Sequence, residues 1–459
     1  MPTPHPRLRP PPPPSPRLAA LAGPLLVELL LAMGVGIVGT ALAARLSDAH
    51  GAGFALAHHV FGTLFLLFRI VGAGAGVVVT QALGAGARAE ADRVARALLG
   101  ASTWIGLAVA LPAALAAAPL LGLMNSPAEV LPLAAPLLVA LAPVLVLDAW
   151  SASLTTVLRS HLHARDTLAV MAAMQTAQLL LMGPLMLGWG PVPALGLPGF
   201  ALAVLLSRAL AIGLQLGLWR WRLGLVPRRS DWWRWRGAEL RAVARIGLPG
   251  AAENIAYRLA FLVSVAVVGG LGAAALATHA YAQQVIMVVL LFGLAMGLSV
   301  EVVVGHLVGA GRLHEAHALV RRALALGLAV SVAVATVAAL LGPWTLRLFT
   351  QDAAIAGAAV TLLWWTVLLE PGRTFNLVVI NALRAAGDAR YPVQVGAASM
   401  AVVLAGGSWL LGDVLGLGLV GVWIAYAADE WLRGLLMWRR WVRLRWVPHA
   451  RASRRRLRH

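Results

Sequence analysis

The chain has 459 residues, of which 60% are hydrophobic and only 12% are charged, and its mean hydropathy is +0.82. Because a soluble globular protein carries about a quarter charged residues, this composition indicates an integral membrane protein. The net charge is +19, and all 37 basic residues are arginine. The chain has no cysteine, which excludes disulfides, thiolate metal sites and cysteine nucleophiles.

Apolar runs of about 20 residues or more recur along the chain, which is the length that crosses a bilayer core of about 30 Å as a helix. They are too long for the strands of a membrane barrel, which alternate with period two over about ten residues. The sequence therefore predicts an all-α polytopic membrane protein. A Pro/Arg-rich leader over residues 1–20 is expected to be disordered, and the first helix is expected to stay uncleaved. Twelve helices are predicted, at about 21–44, 53–83, 93–120, 130–159, 166–188, 195–220, 246–271, 278–308, 317–346, 354–384, 391–412 and 416–438.

The two halves of the chain are related by an internal repeat. A shift of 225 positions, without a gap, aligns Gln81-Ala82-Leu83-Gly84-Ala85-Gly86 with His306-Leu307-Val308-Gly309-Ala310-Gly311. The same shift pairs Pro24 with Pro249, Glu28 with Glu253, Arg159 with Arg384 and Arg165 with Arg390. Matched polar residues at one fixed offset indicate a duplication. We predict an N-terminal lobe over 21–220, a linker over 221–245, a C-terminal lobe over 246–440 and a basic tail over 441–459.

The arginines fall on one side of the predicted topology. The termini and the connections after helices 2, 4, 6, 8 and 10 hold 30 of them, whereas the opposite face holds only Arg45 and Arg347. This positive-inside distribution predicts that both termini are cytoplasmic. Since each lobe has six helices, both enter the membrane from the same side, which predicts a pseudo-two-fold axis along the membrane normal and a cleft between the lobes.

The predicted linker combines tryptophan and arginine. We expect Ser230-Asp231 to cap a short helix that carries Trp232, Trp233 and Trp235, and that lies in the lipid headgroup layer. The alternative for this stretch is RNA binding, which its position beside a membrane disfavours. We therefore expect membrane lipids, and no nucleic acid, as its partner.

Acidic residues inside the predicted helices are candidates for function, because a charge at the bilayer centre costs at least about 2.5 kcal/mol. Five are selected: Glu28, Asp148, Glu253, Glu301 and Glu370. Asp148 and Glu370 each have a proline nearby, where a distorted helix exposes backbone groups to a cavity. The alternative is that each acid forms a buried ion pair that only fixes packing, for example Glu370 with Arg373 or Glu253 with Arg258.

Polar residues also recur in helices 2 and 8, where His58 and His59 pair with Gln283 and Gln284 under the shift. These side chains either line the central cavity or bridge neighbouring helices. No spacing of His, Asp and Glu resembles a metal site, and no Gly-rich loop carries the Lys and Ser/Thr of a nucleotide site. We expect no cofactor, and any uphill transport must draw on an ion gradient or on another protein.

Several motifs resemble those of the multidrug and toxic compound extrusion (MATE) transporters, in the prokaryotic branch. They are Gly305-His306-Leu307-Val308-Gly309-Ala310-Gly311-Arg312 with its weaker copy around Gln81, Leu248-Pro249 with Glu253, and the segment from Glu370-Pro371-Gly372-Arg373-Thr374-Phe375-Asn376 through Asp388. The resemblance covers about residues 20–440. It implies two six-helix bundles in a V shape that export cationic or amphipathic organic compounds from a bacterial or archaeal cell across the cytoplasmic membrane, in exchange for Na⁺ or H⁺. It implies no enzymatic activity and no obligate protein partner.

The chain departs from the family pattern at its usual ion sites. Many members carry a helix 1 acid within Val-Asp-Thr, where this chain has Val38-Gly39-Thr40, and Tyr257 and Arg373 replace acids of one branch. We hypothesise that other acids take over ion coupling. The candidate ion-coupling or substrate-binding residues are Glu253, Glu370, Asp148, Glu28, Arg373, Asn376, Tyr257, His58, Gln283 and Gln284.

Four other functions compete with drug efflux, and a non-transporting membrane scaffold is the least favoured of them. A lipid-linked oligosaccharide flippase of the same wider superfamily holds pyrophosphate with cationic side chains, and the predicted spans contain Arg69, Arg258 and Arg373. A major-facilitator carrier is disfavoured because its Gly-x-x-x-Asp-Arg-x-Gly-Arg-Arg pattern is absent after helix 2. An integral-membrane enzyme requires catalytic residues clustered in one lobe, which the duplicated layout disfavours.

Overall fold

The computed structural model describes residues 18–122, 129–189 and 191–457, so the predicted leader lies outside the described residues up to position 17. Over these ranges the chain forms helices and no strands. The first half contains α1 Ala19–Leu46, α2 Asp48–Gly84, α3 Arg88–Leu115, α4 Ala117–Gly122, α5 Leu131–Ser160, α6 Ala164–Leu187 and α7 Leu197–Leu218. The second half contains α8 Gly237–Gly270, α9 Ala273–Ala310, α10 Leu313–Thr345, α11 Ala353–Ala385, α12 Arg390–Ser399, α13 Gly418–Val442 and α14 Val447–Arg456.

The prediction of twelve long helices is confirmed. Ten helices of the described chain are long and apolar enough to cross a membrane, and α2 and α13 complete the two sets of six. Wide π-helical turns extend α7 through Trp219–Leu223, and two more, at Met400–Gly406 and Ser408–Val414, extend α12 to the length of the other spans.

The repeat is visible in the helix bounds and in the turns. α2 and α9 start at residues 48 and 273, and α3 and α10 start at residues 88 and 313, a shift of 225 in both cases. Each α2–α3 or α9–α10 turn contains a glycine in the left-handed region, Gly86 and Gly311, with φ of 76° and 78°. A glycine adopts this conformation without a steric penalty.

The lobes have separate hydrophobic cores at one end of the molecule and shared cores at the other. The N-lobe core around Phe54, Leu138 and Met186 and the C-lobe core around Leu362 and Trp423 contain residues of their own lobe alone. Two further clusters combine both lobes. They lie at the end of the bundle that carries the arginine-rich connections, which we call the basic end. Lobes that share a core at one end only are arranged as a V.

The connection between the lobes differs from its prediction. Helix α8 begins at Gly237, nine residues before its predicted start at 246, because Leu240 and Val243 bury an apolar face that the neighbouring charges conceal in the sequence. The predicted helix capped by Ser230-Asp231 is also wrong. A single 3-10 turn, Arg229–Trp232, takes its place.

Asp231 stabilises that turn from within. Its side chain is fully buried, accepts a hydrogen bond of 2.9 Å from the backbone N–H of Arg228, and pairs with Arg236 at 2.5 Å. The tryptophans are divided accordingly, since Trp232 packs on Trp150 of α5 whereas Trp233 and Trp235 are exposed. The predicted tail over 441–459 contains α14, which is anchored by the stacking of Trp446 on Trp441 with ring centroids 4.2 Å apart.

Candidate functional site

A buried cluster of charges lies inside the C-terminal lobe between α11 and α13. We call Glu370, Arg373, Asp429, Glu430 and Arg433 the C-lobe ion network. Each residue is at least nine-tenths buried. Glu370 and Arg373 are one helical turn apart on α11, and their ion pair of 2.5 Å confirms the predicted pairing.

Both arginines of the network contact more than one carboxylate. Arg373 also reaches Glu430, with a distance of 3.3 Å from Nε to Oε1. Arg433 lies 2.7 Å from Asp429 and 3.0 Å from Glu430. The network therefore contains three acids and two arginines. If all five were ionised, one negative charge would have no arginine to neutralise it.

Neutral side chains complete the network. Asn376 donates a hydrogen bond of 2.9 Å from Nδ2 to Glu430, and Ser399 donates one of 2.6 Å from Oγ to Asp429. The amide oxygen of Asn376 is buried and accepts no hydrogen bond within the described chain. A buried charge without a counter-charge is strongly destabilising.

The N-terminal lobe has a balanced charge at the equivalent place. Arg208 pairs with Asp148 at 2.6 Å and also contacts the sulfur of Met174. Under the shift of 225, Arg208 corresponds to Arg433 and Asp148 to Arg373. The duplication has thus produced one simple ion pair in the N-terminal lobe and a network with a surplus acid in the C-terminal lobe.

A second pair of charges is duplicated between the lobes. Glu28 of α1 pairs with Arg159 of α5, and Glu253 of α8 pairs with Arg384 of α11 at 2.6 Å. Glu28 and Arg159 lie 225 positions before Glu253 and Arg384, respectively. The partner of Glu253 is therefore Arg384 and not the predicted Arg258, since Arg384 approaches from a neighbouring helix while Arg258 is exposed.

At the basic end the lobes are in direct contact along the ends of α2 and α9. Gln81 donates a hydrogen bond of 2.7 Å to the carbonyl of Ala385 in the other lobe. His306, its repeat counterpart, forms the equivalent 2.7 Å hydrogen bond to the carbonyl of Ser160. We call this contact the interlobe seam. The side chains of the two bonds are 225 positions apart, and so are the carbonyls that they contact, so the seam follows the pseudo-two-fold symmetry.

Glycines allow this close approach. A Cβ atom added at Gly84 would lie 2.8 Å from the carbonyl carbon of His306, and one at Gly309 would lie 2.8 Å from the carbonyl carbon of Gln81. Real Cβ atoms do not come so close to backbone. Glu301 is also buried at the seam, with Oε1 only 3.6 Å from the position of a Cβ at Gly76.

The remaining predicted residues are more accessible than the acids. His58 is half-buried and stacks on Phe54 with a centroid distance of 5.4 Å, and Gln283 is also half-buried. Gln284 is exposed. Tyr257 is half-buried against Phe261. Over the described ranges no group of three or more His, Asp and Glu side chains is arranged to hold a metal.

The comparison with known proteins connects this geometry to a family. The MatE family model matches two segments of the chain, residues 24–185 and 249–410. The second segment is the first one shifted by 225, as in the internal repeat. The chain belongs to the MatE family.

The relatives of this MatE protein are bacterial transporters. It is 29% identical to the uncharacterised transporter YisQ of Bacillus subtilis, over 97% of this chain and 98% of that protein. It is 31% identical to a probable multidrug resistance protein NorM of Deinococcus radiodurans, over 91% and 93% of the two chains. Its fold matches that of an outward-facing MATE transporter of the MOP superfamily, with a TM-score of 0.85 at 19% identity over 94% and 96%. This MatE protein is therefore a polytopic membrane transporter.

The structure gives a reason for one departure from the family pattern. Gly39 of this MatE protein lies in the Val38-Gly39-Thr40 run, where the family resemblance implies a helix 1 acid. A Cβ atom there would lie 3.2 Å from the rings of both Phe54 and Phe200, which pack edge to face at 4.7 Å. A side chain at this position would therefore have to displace these rings by a few tenths of an ångström.

Two acids of the network were not predicted from the sequence. Asp429 and Glu430 lie within the predicted twelfth helix but close to the basic tail, where charges normally face water. The spacing Asp429, Glu430 and Arg433 is the signal that identifies them, because residues three and four apart lie on one face of a helix. That face is buried here.

Proposed function

We propose that this protein exports cationic or amphipathic organic compounds by antiport with Na⁺ or H⁺, without a resident cofactor. The support comes from relatives named for multidrug resistance and from the two-lobed fold. The observation that carries the ion-coupling step is the surplus acid of the C-lobe ion network.

In this proposal the coupling ion neutralises the surplus carboxylate. Ion entry removes the penalty of an unpaired buried charge, and ion loss restores it. Glu370 and Arg373 belong to α11, and Asp429, Glu430 and Arg433 belong to α13. A change in the charge of the network therefore alters the attraction between these two helices, which is a direct route from ion binding to helix movement.

The interlobe seam is the gate that must open during the cycle. In the predicted topology the basic end is cytoplasmic, so the seam closes the cytoplasmic side in this state. Release of the two hydrogen bonds at Gln81 and His306 would allow the lobes to separate at the cytoplasmic end. The fold neighbour with TM-score 0.85 is itself described as outward-facing.

The geometry disfavours the flippase alternative. A pyrophosphate group needs cationic side chains whose charge is not already compensated. Arg373 pairs with two carboxylates, and Arg208 and Arg433 are paired as well. Arg258, the third arginine that was named for this alternative, is exposed and lies outside the buried network. The side chain of Arg69 lies outside the described residues.

The proposal is tested with Glu370→Gln, which leaves two acids facing two arginines. We expect this variant to bind an organic cation such as ethidium but to lose uptake driven by an imposed ion gradient in proteoliposomes. The control is the double variant Asp148→Asn/Arg208→Gln, which removes a balanced pair from the other lobe and should retain gradient-driven uptake. Unchanged ion-driven uptake by Glu370→Gln would refute the assignment.

A further inference from the structure

A groove on the outer surface of the C-terminal lobe combines an apolar lining with one cation. It is lined by Arg321, Leu324 and Leu328 of α10, Phe375 of α11 and Trp438 of α13, and its volume is about 280 Å³. This is below the range of about 300–1,000 Å³ that buries a drug-sized ligand. The groove therefore suits one part of a longer molecule.

The repeat shows what kind of group such a groove accommodates. In the N-terminal lobe the counterparts of Leu324 and Phe375 are Leu99 and Trp150. The linker covers that place, since Trp232 packs edge to face on Trp150 with ring centroids 4.9 Å apart, and Leu99 belongs to the same apolar cluster.

Other linker contacts hold this cover in position. The indole N–H of Trp104 donates a 2.8 Å hydrogen bond to the carbonyl of Trp233, and the backbone at Asp231 approaches Gly100 on α3. An apolar group from the chain itself thus fills the N-lobe position. In the C-terminal lobe the equivalent surface forms the groove.

The position of the groove matches one lipid molecule. Arg321 lies eight residues from the midpoint of α10, or about 12 Å along the axis. This is near the edge of a hydrocarbon core with a half-thickness of about 15 Å. Leu328 lies next to the helix midpoint, so the groove runs from headgroup level toward the bilayer centre. An acyl chain follows the same path.

The charge of Arg321 specifies the headgroup chemistry. Its side chain is exposed, and a guanidinium forms paired, charge-assisted hydrogen bonds with phosphate oxygens. We propose that the groove is a phospholipid site, in which the phosphate pairs with Arg321 and one acyl chain packs against Leu324, Leu328, Phe375 and Trp438. This site is independent of the proposed ion coupling.

The test measures phospholipid bound to the purified full-length protein in mild detergent by native mass spectrometry, with phosphatidylglycerol and phosphatidylcholine as probes. Arg321→Gln should lower the bound fraction of both lipids by about tenfold, because it removes hydrogen bonds to a charged group. The matched control is Arg322→Gln, which removes the neighbouring exposed charge and should retain the lipid.

A second pair of variants tests the apolar part. Leu328→Trp fills the groove and should displace the lipid, whereas Leu326→Trp, at an exposed position on the same helix, should not. Equal lipid retention by Arg321→Gln and Arg322→Gln, or full retention by Leu328→Trp, would overturn the proposal. So would stoichiometric displacement of the lipid by ethidium, because the groove would then hold an exported compound. Thermal unfolding of each variant verifies that it is folded.

Discussion

The interlobe seam makes Gly84→Ala an informative perturbation. The added methyl carbon would lie 2.8 Å from the carbonyl carbon of His306 in the other lobe. The atoms that it meets all belong to the backbone of His306, which cannot rotate away. The clash exists only while the lobes touch. The substitution therefore destabilises the closed seam and leaves the open state unaffected.

The magnitude follows from the contacts. Overpacking of a tight interface costs about 1–3 kcal/mol, and each of the two hydrogen bonds at Gln81 and His306 contributes about 0.5–1.5 kcal/mol if the seam parts. A bias of about 1–3 kcal/mol shifts an equilibrium by roughly 5- to 150-fold. We expect the seam-open population to rise by about tenfold or more.

The absence of cysteine from the chain makes the assay clean. Ser160 is 1% exposed and its carbonyl accepts the hydrogen bond from His306, so Ser160→Cys reports seam opening through its rate of reaction with a maleimide. Gly84→Ala should raise that rate by about tenfold. The control is Gly62→Ala, on the same helix with open space around the new methyl. Equal labelling rates in the two variants would refute the reasoning.

Three further predictions concern stability, charge and pH. Leu162 occupies a turn position with φ of 66°, and its repeat counterpart Gly387 has φ of 86°. Leu162→Gly should therefore raise the unfolding temperature by relieving a strain of about 1–2 kcal/mol, whereas Gly387→Ala should lower it. A lower unfolding temperature for Leu162→Gly would contradict this. Glu253→Gln leaves Arg384 without its partner and should destabilise the protein. If the pair is only structural, the double variant Glu253→Gln/Arg384→Gln should recover both stability and transport in a double-mutant cycle. Recovery of stability without transport would instead support a coupling role for Glu253. Burial lowers the pKa of His161 below its ordinary value of 6.5, so the folded protein resists protonation of this side chain. The stabilising contribution of neutral His161 is lost as pH falls below about 6.5, and the acid-induced drop in unfolding temperature should be smaller in His161→Gln. An equal drop in both proteins would show that His161 does not contribute.

The sequence predicted the architecture well because the strongest signals were physical and repeated. Twelve apolar runs, the one-sided arginines and the offset of 225 all constrain the same two-lobed fold. Glu28, Glu253, Arg159 and Arg384 were recognised as repeat landmarks, but their contacts were not. A glutamate and an arginine 131 positions apart reveal no pairing until two helices pack together.

The candidate site was predicted only in part. The pair of Glu370 and Arg373 follows from helical spacing, and the structure confirms it. The larger network depends on the side of α13 that faces α11, which the hydrophobicity of one helix does not determine. Asp429 and Glu430 have the appearance of surface charges in the sequence, and their burial is a consequence of tertiary packing.

The central prediction is that an ion gradient drives movement of an organic compound through this protein. The direct measurement is transport in proteoliposomes under an imposed Na⁺ or H⁺ gradient, with a panel of organic cations and a lipid-linked sugar. We predict counter-transport of the cations under one of the two gradients and its loss in Glu370→Gln. Movement of the lipid-linked sugar alone, or cation transport that responds to neither gradient, would contradict the account.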